Sequence, residues 1–81
     1  MTIRVKLFAI LRERAGVSEV TLDLPDGATA AAAAEAVFER FPPARQVGRS
    51  VAYAVNRSYA PATTVLRDGD EVALIPPVSG G

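Results

Sequence analysis

Thr2-Ile3-Arg4-Val5-Lys6-Leu7-Phe8-Ala9 is the stretch on which the fold turns. Ile3, Val5, Leu7 and Ala9 fall on one side of an alternation, and Thr2, Arg4 and Lys6 on the other. Successive side chains of a strand point to opposite faces, so a period of two predicts a strand with one buried face. Phe8 interrupts the polar set, placing a large apolar ring on the face that otherwise carries Arg4 and Lys6. Either the next turn covers that ring or the ring belongs to a contact surface.

Reading outward, Leu11 to Ala15 predicts a short helical turn stopped by Gly16. Val20, Leu22 and Leu24 then alternate with Thr21 and Asp23 as a second strand, closed by the turn signal Pro25-Asp26-Gly27. Thr29 is placed to cap a helix whose apolar positions are Ala30, Ala33, Ala34, Val37, Phe38 and Phe41, with Glu35 and Glu39 opposite. Its alanines raise helix propensity and let the backbone lie close to a sheet. Pro42-Pro43 cannot supply helical N–H donors and is expected to stop this helix. Val51 to Val55 reads as a third strand, Asn56-Arg57-Ser58 as a turn and Tyr59 as the centre of a short strand. Asp68-Gly69-Asp70 turns the chain into a last strand, Glu71 to Ile75.

One helix among five strand signals predicts an α+β domain in which a mixed sheet packs against one main helix. The expected architecture is a β-grasp spanning residues 1–75, with the first and last strands side by side at the centre. Residues 76–81 form an extended, flexible tail beyond it.

Composition removes most chemistry. The 81 residues include no cysteine and no histidine, which excludes a disulfide frame, a Cys/His zinc site, a thiol nucleophile and a histidine base. Nine basic and nine acidic residues cancel, so no net field favours nucleic acid or a membrane. No apolar run reaches membrane-spanning length, and the chain enters its strand pattern at once without a leader, so a cytoplasmic location is expected. A domain this small encloses a deep pocket only at the expense of its core, which favours a carrier, modifier or binding module over a self-contained enzyme.

The end of the chain, Pro76-Pro77-Val78-Ser79-Gly80-Gly81, has a different character. Paired prolines enforce an extended departure from the sheet, and six extended residues reach roughly 20 Å. Glycines allow close backbone approach and unusual dihedrals, which suits a tip that must thread a narrow channel. A terminal carboxylate becomes an electrophile once adenylated, and a sulfur nucleophile or an amine can then displace AMP from the acyl carbon. Ser79 has no nearby residue to act as its base and is not read as a nucleophile. Asp68, Asp70 and Glu71 read as a charged turn rather than a metal site, and Glu35 and Glu39 as a solvated helix face.

The segment Leu66-Arg67-Asp68-Gly69-Asp70-Glu71-Val72-Ala73-Leu74-Ile75-Pro76-Pro77-Val78-Ser79-Gly80-Gly81 resembles the C-terminal signature of molybdopterin synthase small subunits, a family of ubiquitin-like sulfur carriers. Val5-Lys6-Leu7-Phe8-Ala9-Ile10-Leu11-Arg12-Glu13, Leu24-Pro25-Asp26-Gly27-Ala28-Thr29 and Ala54-Val55-Asn56 extend the resemblance over the whole chain. It implies a ubiquitin-like carrier that binds no cofactor and is not an enzyme alone. An E1-like activating enzyme would adenylate its C-terminus with ATP, and a sulfur donor protein would convert it to a thiocarboxylate. The tail would then enter the active site of the molybdopterin synthase large subunit, in a hetero-oligomer, and pass sulfur to a pterin precursor. By that resemblance Gly81 carries the sulfur, Gly80 gives clearance, and Phe8, Tyr59 and Ile75 form the partner surface. Two positions depart from the pattern: Arg57, where relatives often carry glycine, and Ile75, where an aromatic residue is common. A carrier for thiamine or another thio-metabolite, and a modifier joined to lysines, stay open as alternatives. Pro-Pro-Val-Ser ahead of the glycines argues for the molybdopterin reading.

Overall fold

The computed structural model describes residues 1–48 and 50–77. The opening alternation becomes strand β1 (Thr2–Leu7), with Ile3, Val5 and Leu7 buried. Helix α1 (Ala9–Ala15) follows, then β2 (Glu19–Asp23), α2 (Ala30–Arg40), α3 (Pro42–Arg45), β3 (Ala52–Val55), β4 (Ser58–Ala60) and β5 (Glu71–Ile75). The strands form one mixed sheet in the order β2-β1-β5-β3-β4. Only the β1–β5 pair is parallel, and it lies at the centre as expected.

Three local expectations are corrected. Ala9 does not continue β1 into the core: it is exposed, opens α1 and has φ of +50°. Leu24 lies just beyond β2 and packs against the core from outside the ladder. Pro42-Pro43 does end α2, but it also begins α3, where its fixed φ suits the first helical positions and its missing N–H costs nothing. Gly16 stops α1 in the left-handed conformation, φ +79°, and its N–H donates to the Arg12 carbonyl at 2.8 Å.

Helix α2 covers one face of the sheet because Ala30, Ala33, Ala34, Val37 and Phe38 form its buried stripe. Its first turn leaves no stranded donors. Thr29 Oγ1 accepts from Ala32 N–H at 3.2 Å, and the Ala30 and Ala31 N–H groups donate to the carbonyls of Thr64 and Ala62 at 2.9 and 3.0 Å. Those bonds tie the long loop before β5 to the helix and let Leu66 plug the core. Glu35 does more than face solvent, since it bonds Arg45 of α3 at 2.7 Å and holds that guanidinium's proton more tightly than usual. Gly48 is buried against the Phe38 ring, and a Cβ there would overlap the ring.

Candidate functional site

The register of the sheet determines what stands on the face that α2 leaves open. Arg4 lies beside Glu71, and Lys6 beside Ala73, which is also opposite Ala54. Ala54 in turn faces Tyr59, and Ala52 faces Ile75. Because β1 and β5 run in parallel, both leave the sheet at the same end, so Phe8 and Ile75 meet there although far apart in sequence. Lys6, Phe8, Ala54, Arg57, Tyr59, Glu71, Ala73 and Ile75 line an open depression of about 390 Å³. Ala54 and Ala73 form its floor, since small side chains there leave room between taller neighbours.

Phe8 is 43% exposed and Tyr59 78% exposed, so the turn after β1 does not cover the ring. Phe8 also occupies the N-cap of α1, where it accepts nothing through its side chain. Ser, Thr, Asp or Asn is preferred at that position, so helix stability does not account for an aromatic residue there. All three expected surface residues, Phe8, Tyr59 and Ile75, are brought to one depression. Pro76 is half-buried and Pro77 exposed where the chain leaves β5. Val78, Ser79, Gly80 and Gly81 lie outside the described residues.

A charged rim was not singled out in the sequence. Glu71, its side chain 12% exposed, lies 3.4 Å from Lys6 Nζ and 3.9 Å from Arg57 Nε. Arg4, Asn56 and Arg57 line a second shallow recess against the same carboxylate. The spacing of Lys6 to Phe8 and of Glu71 to Ala73 to Ile75 holds part of this signal, but only strand pairing joins the sets. The hairpin β3–β4 turns through Asn56 and Arg57, with φ of +50° and +71°. Two such residues in a two-residue loop make a type I′ turn, which matches the twist of the strands but ordinarily selects glycine. Of the non-glycine residues with positive φ among those described (Ala9, Asn56 and Arg57), Asn56 and Arg57 line this face.

The acidic residues of the neighbouring turn are hydrogen-bond acceptors. Asp68 Oδ1 accepts from Thr2 N–H, Asp70 Oδ1 from the Asn56 amide at 2.9 Å, and Asp70 Oδ2 from Arg67 N–H at 2.8 Å. Asn56 Oδ1 accepts from Glu71 N–H at 3.0 Å, which pins the hairpin to β5. Among the described residues no group of acidic side chains is placed to hold a metal ion, and no polar side chain is buried. No helix among them is long and apolar enough to cross a membrane. Phe8, Tyr59 and Ile75 thus share one open face with Lys6 and Arg57, beside the point where Pro76 follows β5.

Comparison with known proteins places the chain as a whole. The sequence is 38% identical to the molybdopterin synthase sulfur carrier subunit of Arabidopsis thaliana, over 98% of this chain and 82% of that one. It is 41% identical to the subunit of the same name from Chlamydomonas reinhardtii, over the whole of both chains. The structure of SAMP1 from Haloferax volcanii, a small archaeal modifier protein, superposes with a TM-score of 0.88 at 32% identity and covers both chains completely. The model of the ThiS family matches residues 5–81, and this chain, with its ubiquitin-like β-grasp, belongs to that family.

Proposed function

We propose that this chain is the sulfur carrier subunit of a molybdopterin synthase, acting through a thiocarboxylate on Gly81. The observation that carries the reading is the full-length likeness to molybdopterin synthase sulfur carrier subunits, which runs through the Gly80-Gly81 end. The chemistry of the chain agrees with it. Without Cys or His the protein has no thiol to hold sulfur as a persulfide, which agrees with the carboxylate role that the family resemblance gives Gly81. A carboxylate oxygen of Gly81 attacks the α-phosphorus of ATP on an E1-like enzyme, and pyrophosphate leaves. A sulfide equivalent from a donor protein then displaces AMP and leaves the thiocarboxylate. Docking through the face around Phe8, Tyr59 and Ile75 sets the starting point of the tail, and Pro76-Pro77 directs it outward into the large subunit. Fixing that geometry before reaction supplies the proximity that a tethered donor needs.

Intact-protein mass spectrometry tests the assignment. With activating enzyme, ATP and a sulfur donor, the mass should rise by the difference between sulfur and oxygen. The gain should vanish when large subunit and pterin precursor are added together, with two carriers consumed for each dithiolene formed. A chain extended by one residue past Gly81 should keep its circular dichroism and lose activation altogether. Discharge by a thiazole synthase instead of the molybdopterin large subunit would move the protein to thiamine synthesis.

A second reading is favoured by the likeness to SAMP1, whose name marks a protein modifier. In that role the adenylate is displaced by a lysine amine, and the product is an amide on another protein. Activation is common to both roles, so the products distinguish them.

A further inference from the structure

Of the nine basic residues one, Lys6, is a lysine, and the others are arginines. The difference matters in a protein whose end is activated for acyl transfer. A guanidinium stays protonated and does not attack an acyl carbon, whereas a lysine amine that has lost its proton forms a stable amide. The Met1 amino group is shielded: it is 3% exposed, donates to the Leu24 carbonyl at 2.8 Å and lies 3.6 Å from Asp23. Lys6 is open by comparison, with its side chain 37% exposed and its Nζ 3.4 Å from Glu71 Oε1. It stands opposite Glu19 of β2 and beside Ala73 of β5, in the depression that Phe8, Tyr59 and Ile75 share. The lysine of this chain is therefore an open amine on the face through which the chain docks.

We propose that Lys6 is an acylation site, at which the activated Gly81 of a second copy forms an amide, and that a chain so modified no longer docks on the large subunit. The inference rests on the reading that Gly81 is adenylated, and it adds an acceptor on the chain itself. The Lys6 ammonium first gives one proton to solvent. Nζ then bonds the Gly81 carbonyl carbon of the other copy, the bond from that carbon to AMP breaks, and a second proton leaves as the amide forms. The amide is neutral, so Glu71 loses the nearer of its two cations and keeps Arg57 at 3.9 Å. Covering a carboxylate so poorly compensated is costly for a partner, and the attached copy takes up space on the docking face. With one lysine, each copy accepts one other by this route, so the products are linear. A linked acceptor keeps its own Gly81 but gives up its docking face, which makes linkage and sulfur delivery mutually exclusive for that copy.

Two measurements test this. With activating enzyme and ATP but no sulfur donor, intact-mass analysis should find two copies joined with loss of one water, and peptide mapping should place the link on Lys6. Lys6→Arg, which keeps a cation beside Glu71, should give no such product. Separately, a limiting amount of N-hydroxysuccinimidyl acetate should acetylate Lys6 ahead of Met1, whereas an unshielded α-amine would react first. The acetylated chain should bind isolated large subunit at least about tenfold more weakly, as when one partner of a covered charge pair is removed. Lys6→Arg treated with the same reagent should bind as untreated Lys6→Arg does. Adenylation without an amide at Lys6, an equal yield of linked product from Lys6→Arg, acetylation of Met1 ahead of Lys6, or undiminished binding after acetylation would overturn the inference and leave the synthase reading intact. Absence of ATP–pyrophosphate exchange with the wild-type chain would overturn that reading as well.

Discussion

The two faces of one sheet show how differently the same strands are used. On the inner face Ile3, Val5, Leu7, Val20, Leu22, Val72 and Leu74 are buried under the helical layer. On the outer face the alternating residues of the same three strands are Thr2, Arg4 and Lys6, then Glu19, Thr21 and Asp23, then Glu71, Ala73 and Ile75. Full burial of each aliphatic side chain contributes about 1.5–3 kcal/mol, so the inner face supplies most of the stability of a domain this small. The backbone follows the same division. The sheet residues of the inner face lie in regular strands, while Asn56 and Arg57, in the left-handed region, line the outer one. Stability is concentrated on one side of the sheet, and strain with exposed aromatic surface on the other.

The sharpest way to break that contrast is to cut into the inner face. Leu74→Ala removes a fully buried side chain on the central strand and should cost about 2–5 kcal/mol, measured by urea denaturation. Much of a small domain's total stability is then gone. A loss below about 1 kcal/mol would mean that the core relaxes around the gap.

A smaller effect is expected where the helical layer meets the chain after α3. Gly48→Ala places a methyl group against the Phe38 ring, and overpacking of this kind costs about 1–3 kcal/mol. Pairing it with Phe38→Leu should recover part of the loss if the ring is the obstacle. An unchanged melting temperature for Gly48→Ala would show that the ring moves aside freely.

The outer face should respond in the opposite sense. Phe8→Asp replaces an exposed ring by a favourable N-cap residue, so folding should hold or improve slightly. Affinity for the large subunit, by calorimetry, should fall by at least about 1 kcal/mol, as for loss of a buried aromatic anchor. Undiminished affinity together with lower stability would move Phe8 from the contact surface into the fold.

Much of this was legible in order along the chain. The alternation at Ile3, Val5 and Leu7, the Thr29 cap and the turns at Gly27 and Gly69 are local patterns, and each appears where the residues placed it. The readings that changed lay at element ends. Ala9 extends the alternation of β1, but the chain turns one residue earlier because α1 must pack back on α3. Pro42-Pro43 reads as a stop in sequence and turns out also to be a start, because proline opposes a helix only after its first turn. Gly48 gave no signal at all, since its neighbour Phe38 lies in a separate element.

The sequence by itself determined which side chains are apolar at which period, hence the strands, the main helix and the inner face. It also determined that no Cys or His chemistry is possible and that the chain runs through paired prolines to Gly80-Gly81. Only the tertiary structure decided that Phe8, Tyr59 and Ile75 meet, and that Lys6 and Arg57 share Glu71 beside them. The physical reason is that periodicity is a property of neighbours along the chain. The parallel β1–β5 pairing and the β3–β4 hairpin, by contrast, depend on long-range hydrogen bonds and on burying one face beneath one helix.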